Sequence, residues 1–259
     1  MLHFMASNFL SANPQKTGFL LIRKKNSMTP QTIKVGNEMI TEKDNHRILG
    51  LTVNKNLTWN DHIFGKGGLL SSVNQRVGAL RRISYHVPRK FLPEIASALI
   101  ASKIRYGIAI YGGIRLSEED PLTASSKALQ VALNDGMRTA LGVRVRDRVR
   151  IADLIERTGI QSVNRMSAEA NLSLIWQSVN SESFPLSEMV TRVANTAGRS
   201  SRSATLGNLQ PLAKTTLGRG NFPKPAIRLW NSSTSEVKAA TSRRVAKTAI
   251  KMFTNTLPL

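Results

Sequence analysis

The sequence contains no cysteine. Disulfide frameworks, zinc knuckles and thiol nucleophiles are therefore excluded from the start. Aromatic residues make up only 5% of the chain, so a core has to be built mainly from Leu, Ile, Val and Ala. No run approaches the roughly 18 apolar residues of a membrane span. Residues 1–8 lack the basic stretch and long apolar run of a signal peptide. No segment shows a basic amphipathic helix with Trp or Phe on its apolar face, the pattern that binds a membrane surface. These absences predict an intracellular protein, nuclear or cytoplasmic, with no membrane partner.

Metal and nucleotide signatures are missing as well. The histidines, His3, His46, His62 and His86, have no metal-ligand spacing, and His62 reads as a structural residue that reinforces the turn after Trp59. Gly65-Lys66-Gly67-Gly68 lacks the spacing and the Ser or Thr of a P-loop. Glu118-Glu119-Asp120, between Ser117 and Pro121, suits a helix N-terminus better than a metal site. Trp59, Trp176 and Trp230 read as packing residues, with base stacking the competing role for Trp59 and Trp230.

Acidic residues are scarce relative to basic ones. Lys and Arg number 37 against 16 acids, a formal net charge of +21 and a sequence pI near 11.2. Such an excess repels itself unless a polyanion neutralises it, and phosphate backbones are the commonest polyanion. Arg76, Arg81, Arg82, Arg89, Lys90, Lys103, Arg105 and Arg115 are opposed in their span only by Glu94. A solvated helix face normally mixes signs, so this stripe is assigned to duplex backbone contact, which positions a duplex without reading its sequence. Arg144, Arg146, Arg148 and Arg150 alternate around Asp147. A strand would place all four on one face and a helix would spread them. Arg228, Lys238, Arg243, Arg244, Lys247 and Lys251 form a further group, suited equally to nucleic-acid contact or to solubility.

The 259 residues suffice for one large domain or two small ones. Residues 1–12 carry a short helical pattern that Asn13-Pro14 ends. Phe19-Leu20-Leu21-Ile22 reads as a strand, Gly36-Asn37 as a hairpin turn, and Ile48-Leu49-Gly50-Leu51-Thr52-Val53 as one further strand. Helical spacing then takes over. Leu69, Val73, Val77, Leu80 and Ile83 form one stripe, and Leu92, Ile95, Leu99, Ile100 and Ile104 a second. Leu129, Leu133, Met137 and Leu141 form a third, closed by Gly142. Helices are expected over 150–157 and 165–180, a flexible linker over 191–221, and a Pro-started helix over 223–253.

Read in order, these segments resemble the part of non-LTR (LINE-type) retrotransposon reverse transcriptases that follows the catalytic hairpin. Asn13-Pro14-Gln15-Lys16-Thr17 and Phe19-Leu20-Leu21-Ile22 are similar to the family's motif D. Ile48-Leu49-Gly50-Leu51-Thr52-Val53 and Leu57-Thr58-Trp59-Asn60-Asp61-His62-Ile63 resemble its Leu-Gly strand and the motif after it. Ala79-Leu80-Arg81-Arg82 and Ile104-Arg105-Tyr106-Gly107 sit where its thumb helices carry similar groups. Asn221-Phe222-Pro223, Ala226 and Leu229-Trp230-Asn231 resemble a C-terminal motif.

The resemblance implies an α+β fold. Residues 1–63 would be the end of a palm, 64–190 a helical thumb-like domain, 191–221 a linker and 222–259 a basic C-terminal segment. It implies RNA and DNA as partners, as an RNA–DNA hybrid or a primer–template duplex. Lys16 would be a motif D remnant, Leu49 and Gly50 primer-grip-like, and Arg76, Arg81, Arg82, Arg89, Lys90, Lys103, Arg105, Arg144, Arg146 and Arg148 the nucleic-acid contacts. The complete enzyme would use Mg2+; for this chain no cofactor and no metal site are expected. The family's paired aspartates lie upstream of motif D. Here Asp44, Asp61, Asp120, Asp135, Asp147 and Asp153 are isolated from one another, whereas two-metal polymerisation needs carboxylates converging on ions about 3.5–4 Å apart. A truncated or degenerate, non-polymerising copy is therefore expected. The alternatives are a stand-alone cationic nucleic-acid-binding protein and a helical protein-interaction module.

Overall fold

The computed structural model describes residues 7–9, 13, 17–22, 31–35, 37–190, 207–210 and 223–259. They form a mixed α+β chain with two small antiparallel hairpins followed by helices, divided into two compact units, Met1–Gly68 and Leu69–Leu259. The short helix expected over 1–12 lies largely outside the described residues, as does Lys16.

In the first unit, β1 (Thr32–Val35) pairs with β2 (Glu38–Thr41), with Ile33 opposite Ile40; of the expected Gly36-Asn37 turn, Gly36 lies outside the described residues. Residues 48–53 depart from the expected single strand. They fold back on themselves as β3 (Asn45–Ile48) and β4 (Leu51–Asn54), with Ile48 opposite Leu51. Leu49 and Gly50 are the two turn residues, at φ 48° and 84°. A two-residue hairpin of this hand needs positive φ at both central positions, which Gly50 adopts freely and Leu49 does not. The strand expected at 19–22 is also absent; Lys43 N–H donates to Phe19 O at 3.1 Å without a ladder forming. Before it, the N–H and hydroxyl of Thr17 both donate to Asn13 O, at 3.0 and 2.8 Å.

Helix α1 (Asn60–Phe64) follows β4 and is tied to it by side chains. Buried Asn54 donates to Thr58 Oγ1 (2.8 Å) and Asp61 Oδ2 (3.1 Å) and accepts from Thr58 N–H (2.9 Å). His62 is buried too, accepts from Thr52 N–H, and meets the Trp59 ring edge-on at 6.3 Å. It is thus a structural histidine.

The second unit is helical. Helix α2 (Leu69–Ile83) lays Leu69, Val73, Val77 and Leu80 against α6 (Ala124–Leu141), which answers with Leu129, Leu133 and Met137. Each such buried side chain contributes roughly 1.5–3 kcal/mol. Between them α3 (Leu92–Ala96) runs into a π-turn, Ser97–Ala101, and on into α4 (Ser102–Arg105). The wider turn carries one extra residue, so Ile100 and Ala101 are both buried in register with Leu92, Ala96 and Ile104. The register slip frees carbonyls: Ser102 N–H reaches back to Ser97 O, the Ser102 hydroxyl takes Ala98 O, and Arg76 Nη1 donates to Leu99 O at 2.8 Å. Gly136 permits the close approach, because a Cβ there would lie 2.6 Å from Ile100 Cδ1. Helix α5 (Ile108–Tyr111) follows directly.

The acidic run 118–120 does not start a helix. Asp120 Oδ2 accepts from the N–H groups of Leu116 (2.9 Å) and Ser117 (3.1 Å), closing a loop. Helix α6 begins at Ala124, where Thr123 accepts from Ser126 N–H, and it ends at left-handed Gly142. Helices α7 (Ile151–Thr158) and α8 (Val163–Asn180) match the expected positions, the first stopped by Gly159 at φ 70°.

The segment expected as one helix over 223–253 is three: α9 (Lys224–Ser232), α10 (Ser235–Ala239) and α11 (Arg243–Asn255). Ser233, Thr234, Ala240 and Ser242 adopt extended backbone between them, and Ser242 accepts from Val245 N–H at the start of α11. Ser and Thr favour such caps over helix interiors. The three helices close over α8 in one core that includes Leu172, Trp176, Ile227, Trp230, Val237 and Ile250. Of the linker expected over 191–221, only 207–210 are described, and these are fastened: Leu209 is buried, its N–H donates to Asn231 Oδ1 (2.8 Å), and its carbonyl accepts from Asn231 Nδ2 (2.9 Å). Trp230 and Trp176 are packing residues. Their Nε1 groups donate to Gly207 O and Ala240 O, both at 3.1 Å. Among the described residues no helix is long and apolar enough to cross a membrane.

Candidate functional site

The end of α2, the start of the next helical run and the C-terminus of α6 enclose a cleft of about 460 Å³, lined among others by Arg81, Tyr85, Arg89, Asp135, Arg138 and Arg144. Each arginine arrives from a different local cause. Arg81 is in the last turn of α2, where a cation complements the helix dipole. Arg89 lies across the left-handed end of α6, so close that a Cβ on Gly142 would be 3.0 Å from its Cζ. Arg138 occupies the last turn of α6, 3.7 Å from Asp135, and its buried Nε has no hydrogen-bond partner among the described residues. Arg144 follows the helix stop, its N–H donating to Asp147 Oδ2 at 2.6 Å. Four guanidinium groups thus share one cleft with a single carboxylate. Planar, permanently charged forks of this kind match phosphate oxygens two at a time.

The remaining basic residues divide. Arg82 is exposed on α2, and Lys90 stands 4.9 Å from the Phe91 ring centroid. Arg146 and Arg148 are exposed on the short 3-10 turn Val145–Asp147 and on the left-handed residue after it. This turn is neither the strand nor the long helix that the alternation allowed. Arg76 is occupied at the π-turn. Arg115 is occupied as well: its Nε donates to Asp120 O (2.9 Å), its Nη2 to Glu118 O, and its own N–H to Asn164 Oδ1 (2.9 Å). Lys103 and Arg105 are on α4, where Arg105 donates to Gln161 Oε1 at 3.2 Å. Lys238 donates to Asn208 Oδ1 and Asn231 O, and burial lowers its ammonium pKa. Leu49, 85% exposed, and Gly50 are at a hairpin tip in the first unit.

The structure therefore joins Arg81, Arg89 and Arg144 and adds Arg138, which charge counting along the chain passed over. Its signal was a basic residue four positions before a helix-stopping glycine.

The loop behind Arg115 is closed by the Asp120 carboxylate. Hydrogen bonds from the Leu116 and then the Ser117 backbone hold the Asp120 carboxyl below its ordinary pKa. A depressed folded pKa gives a contribution that is complete above the unfolded carboxylate range and is lost as pH falls through the folded value. In an acid titration followed by amide NMR, the Leu116 and Ser117 resonances are expected to move together at a pH below that of a free aspartate. Movement at the free value would remove the assignment.

Among the described residues no group of three or more His, Asp or Glu side chains is placed to hold a metal ion. Asp44 is paired with Lys55 at 2.6 Å, Asp61 with Asn54, and Asp153 with Arg150 at 3.6 Å. The donor set does not fit a two-Mg2+ centre, and no chemical step follows from it. No family model matches the chain, and no curated protein or solved structure is significantly similar to it.

Proposed function

We propose that this chain is a nucleic-acid-binding fragment of the non-LTR reverse-transcriptase type, which holds a primer–template duplex by its phosphates. In this reading residues 1–63 correspond to the end of a palm, 64–190 to a thumb-like domain and 222–259 to a basic C-terminal segment. The observation that carries the proposal is the cleft in which Arg81, Arg89, Arg138 and Arg144 meet one carboxylate. Buried or clefted like charges are unfavourable unless an anion joins them. The ordered motifs support the family, and the scattered aspartates support binding without polymerisation. A stand-alone cationic protein that binds nucleic acid would use the same cleft.

The test is the salt dependence of binding to an RNA–DNA hybrid, read by fluorescence anisotropy. If about six phosphates are engaged, log K falls against log salt with a slope near −5. Affinity indifferent to salt would sink the reading.

A further inference from the structure

A second basic pocket, of about 410 Å³, is formed within the helical unit by α4, the turn between α7 and α8, α8 and α11. Its polar lining is Arg105, Gln161, Glu169, Ser173, Lys247 and Lys251. Gln161 is 8% exposed and held between buried Ile160 and Ser162. Its Oε1 accepts from Arg105 Nη2 at 3.2 Å. A guanidinium only donates, so this bond fixes which way the amide points. The Nε2 end is then turned away from Arg105, is buried, and has no hydrogen-bond acceptor among the described residues. Leaving such a donor unsatisfied is unfavourable. Lys247 and Lys251 are one helical turn apart on α11, so they share a face, and both are exposed. Neither they nor Arg105 forms an ion pair with a described residue.

We propose that this pocket binds a phosphate monoester. Three cations against the Glu169 carboxylate leave two net positive charges, which match the charge of about −1.5 to −2 on a monoester at pH 7 better than the single charge of a backbone diester. Gln161 Nε2 donates to a phosphate oxygen at the buried end, while Arg105, Lys247 and Lys251 neutralise it from the rim. Glu169 is an acceptor for hydroxyls on the group that carries the phosphate. Such a monoester occurs at a phosphorylated strand end and on a free nucleotide. None of these residues lines the Arg81 cleft, so the two sites stand or fall separately.

Calorimetric titration of the full chain decides it, with inorganic phosphate, a nucleoside 5′-monophosphate, and a single-stranded oligonucleotide with and without a 5′-phosphate as probes. Saturable binding of phosphate or the monophosphate is expected, weakened about tenfold by Gln161→Met and at least as much by Lys247→Gln with Lys251→Gln. The lysine pair is exposed, so that variant keeps its fold and tests the site even if Gln161→Met does not. A gain in oligonucleotide affinity on 5′-phosphorylation, lost in the lysine variant, assigns the site to strand ends. Monophosphate binding without that gain assigns it to free nucleotides. No saturable binding by any monoester, or binding unchanged in the folded lysine variant, overturns the proposal.

Discussion

Replacing Arg81 and Arg144 together by glutamate is expected to weaken binding to an RNA–DNA hybrid by about 100-fold near 0.1 M salt, and to make the salt slope shallower by about 2. Both side chains are exposed at the cleft mouth, on α2 and on the loop after α6, so the fold has little reason to change. Arg89 and Arg138 are left alone because each is part of the packing at the end of α6. The magnitude is the lower end of what two charge-assisted hydrogen bonds to phosphate give, each contributing roughly 1.5–3 kcal/mol. A control with the same net charge, Arg47→Glu with Arg157→Glu, alters two exposed arginines that line neither basic pocket. If binding reflects the cleft, the control loses a few-fold at most. An equal loss in both variants would mean that the +21 charge acts as a diffuse field and that the cleft has no special part.

Helices α2, α6, α7 and α8 were legible because their apolar residues recur every three or four positions and because Gly142 and Gly159 mark two of their ends. The hairpin around Gly50 was not. A run of mostly apolar residues looks like one strand, and the turn depends on Leu49 accepting a left-handed conformation that its residue type disfavours. The break between α9 and α10 was written in Ser232-Ser233-Thr234-Ser235, but the basic residues on either side hid it. The acidic run 118–120 misled because Asp120 caps its own loop rather than a helix.

The candidate site was legible as an excess of one charge sign and no further. Charge counting treats Arg76 and Arg115 like Arg81, yet backbone carbonyls occupy the first two. Which arginines remain open is decided by the π-turn and by the helix ends, both consequences of packing. Gln161 gave no signal at all, since a lone glutamine in a turn becomes significant only once Arg105 fixes its amide and the surrounding core buries it.

Trp230→Ala is expected to destabilise the chain by about 4 kcal/mol, a large share of the roughly 5–15 kcal/mol that holds a typical domain folded. Trp230 is 1% exposed in the core that joins α8 to α9, α10 and α11, and its indole N–H holds Gly207 O. Alanine leaves a cavity and frees that carbonyl. Trp230→Phe keeps most of the ring and loses the hydrogen bond, so a smaller loss of about 1–2 kcal/mol is expected. Urea unfolding followed by far-UV circular dichroism checks both. If α8 and the C-terminal helices unfold as one body, the midpoint falls while the slope with denaturant stays constant. A curve that splits into two steps would show that α9–α11 detach separately, and an unchanged midpoint would remove Trp230 from the core. The Arg81 cleft is built by α2 and α6 and their flanking loops, without α9–α11. In conditions where the Phe variant is folded, its hybrid affinity should therefore equal that of the parent chain, which separates the residues that hold the fold from those that hold the phosphates.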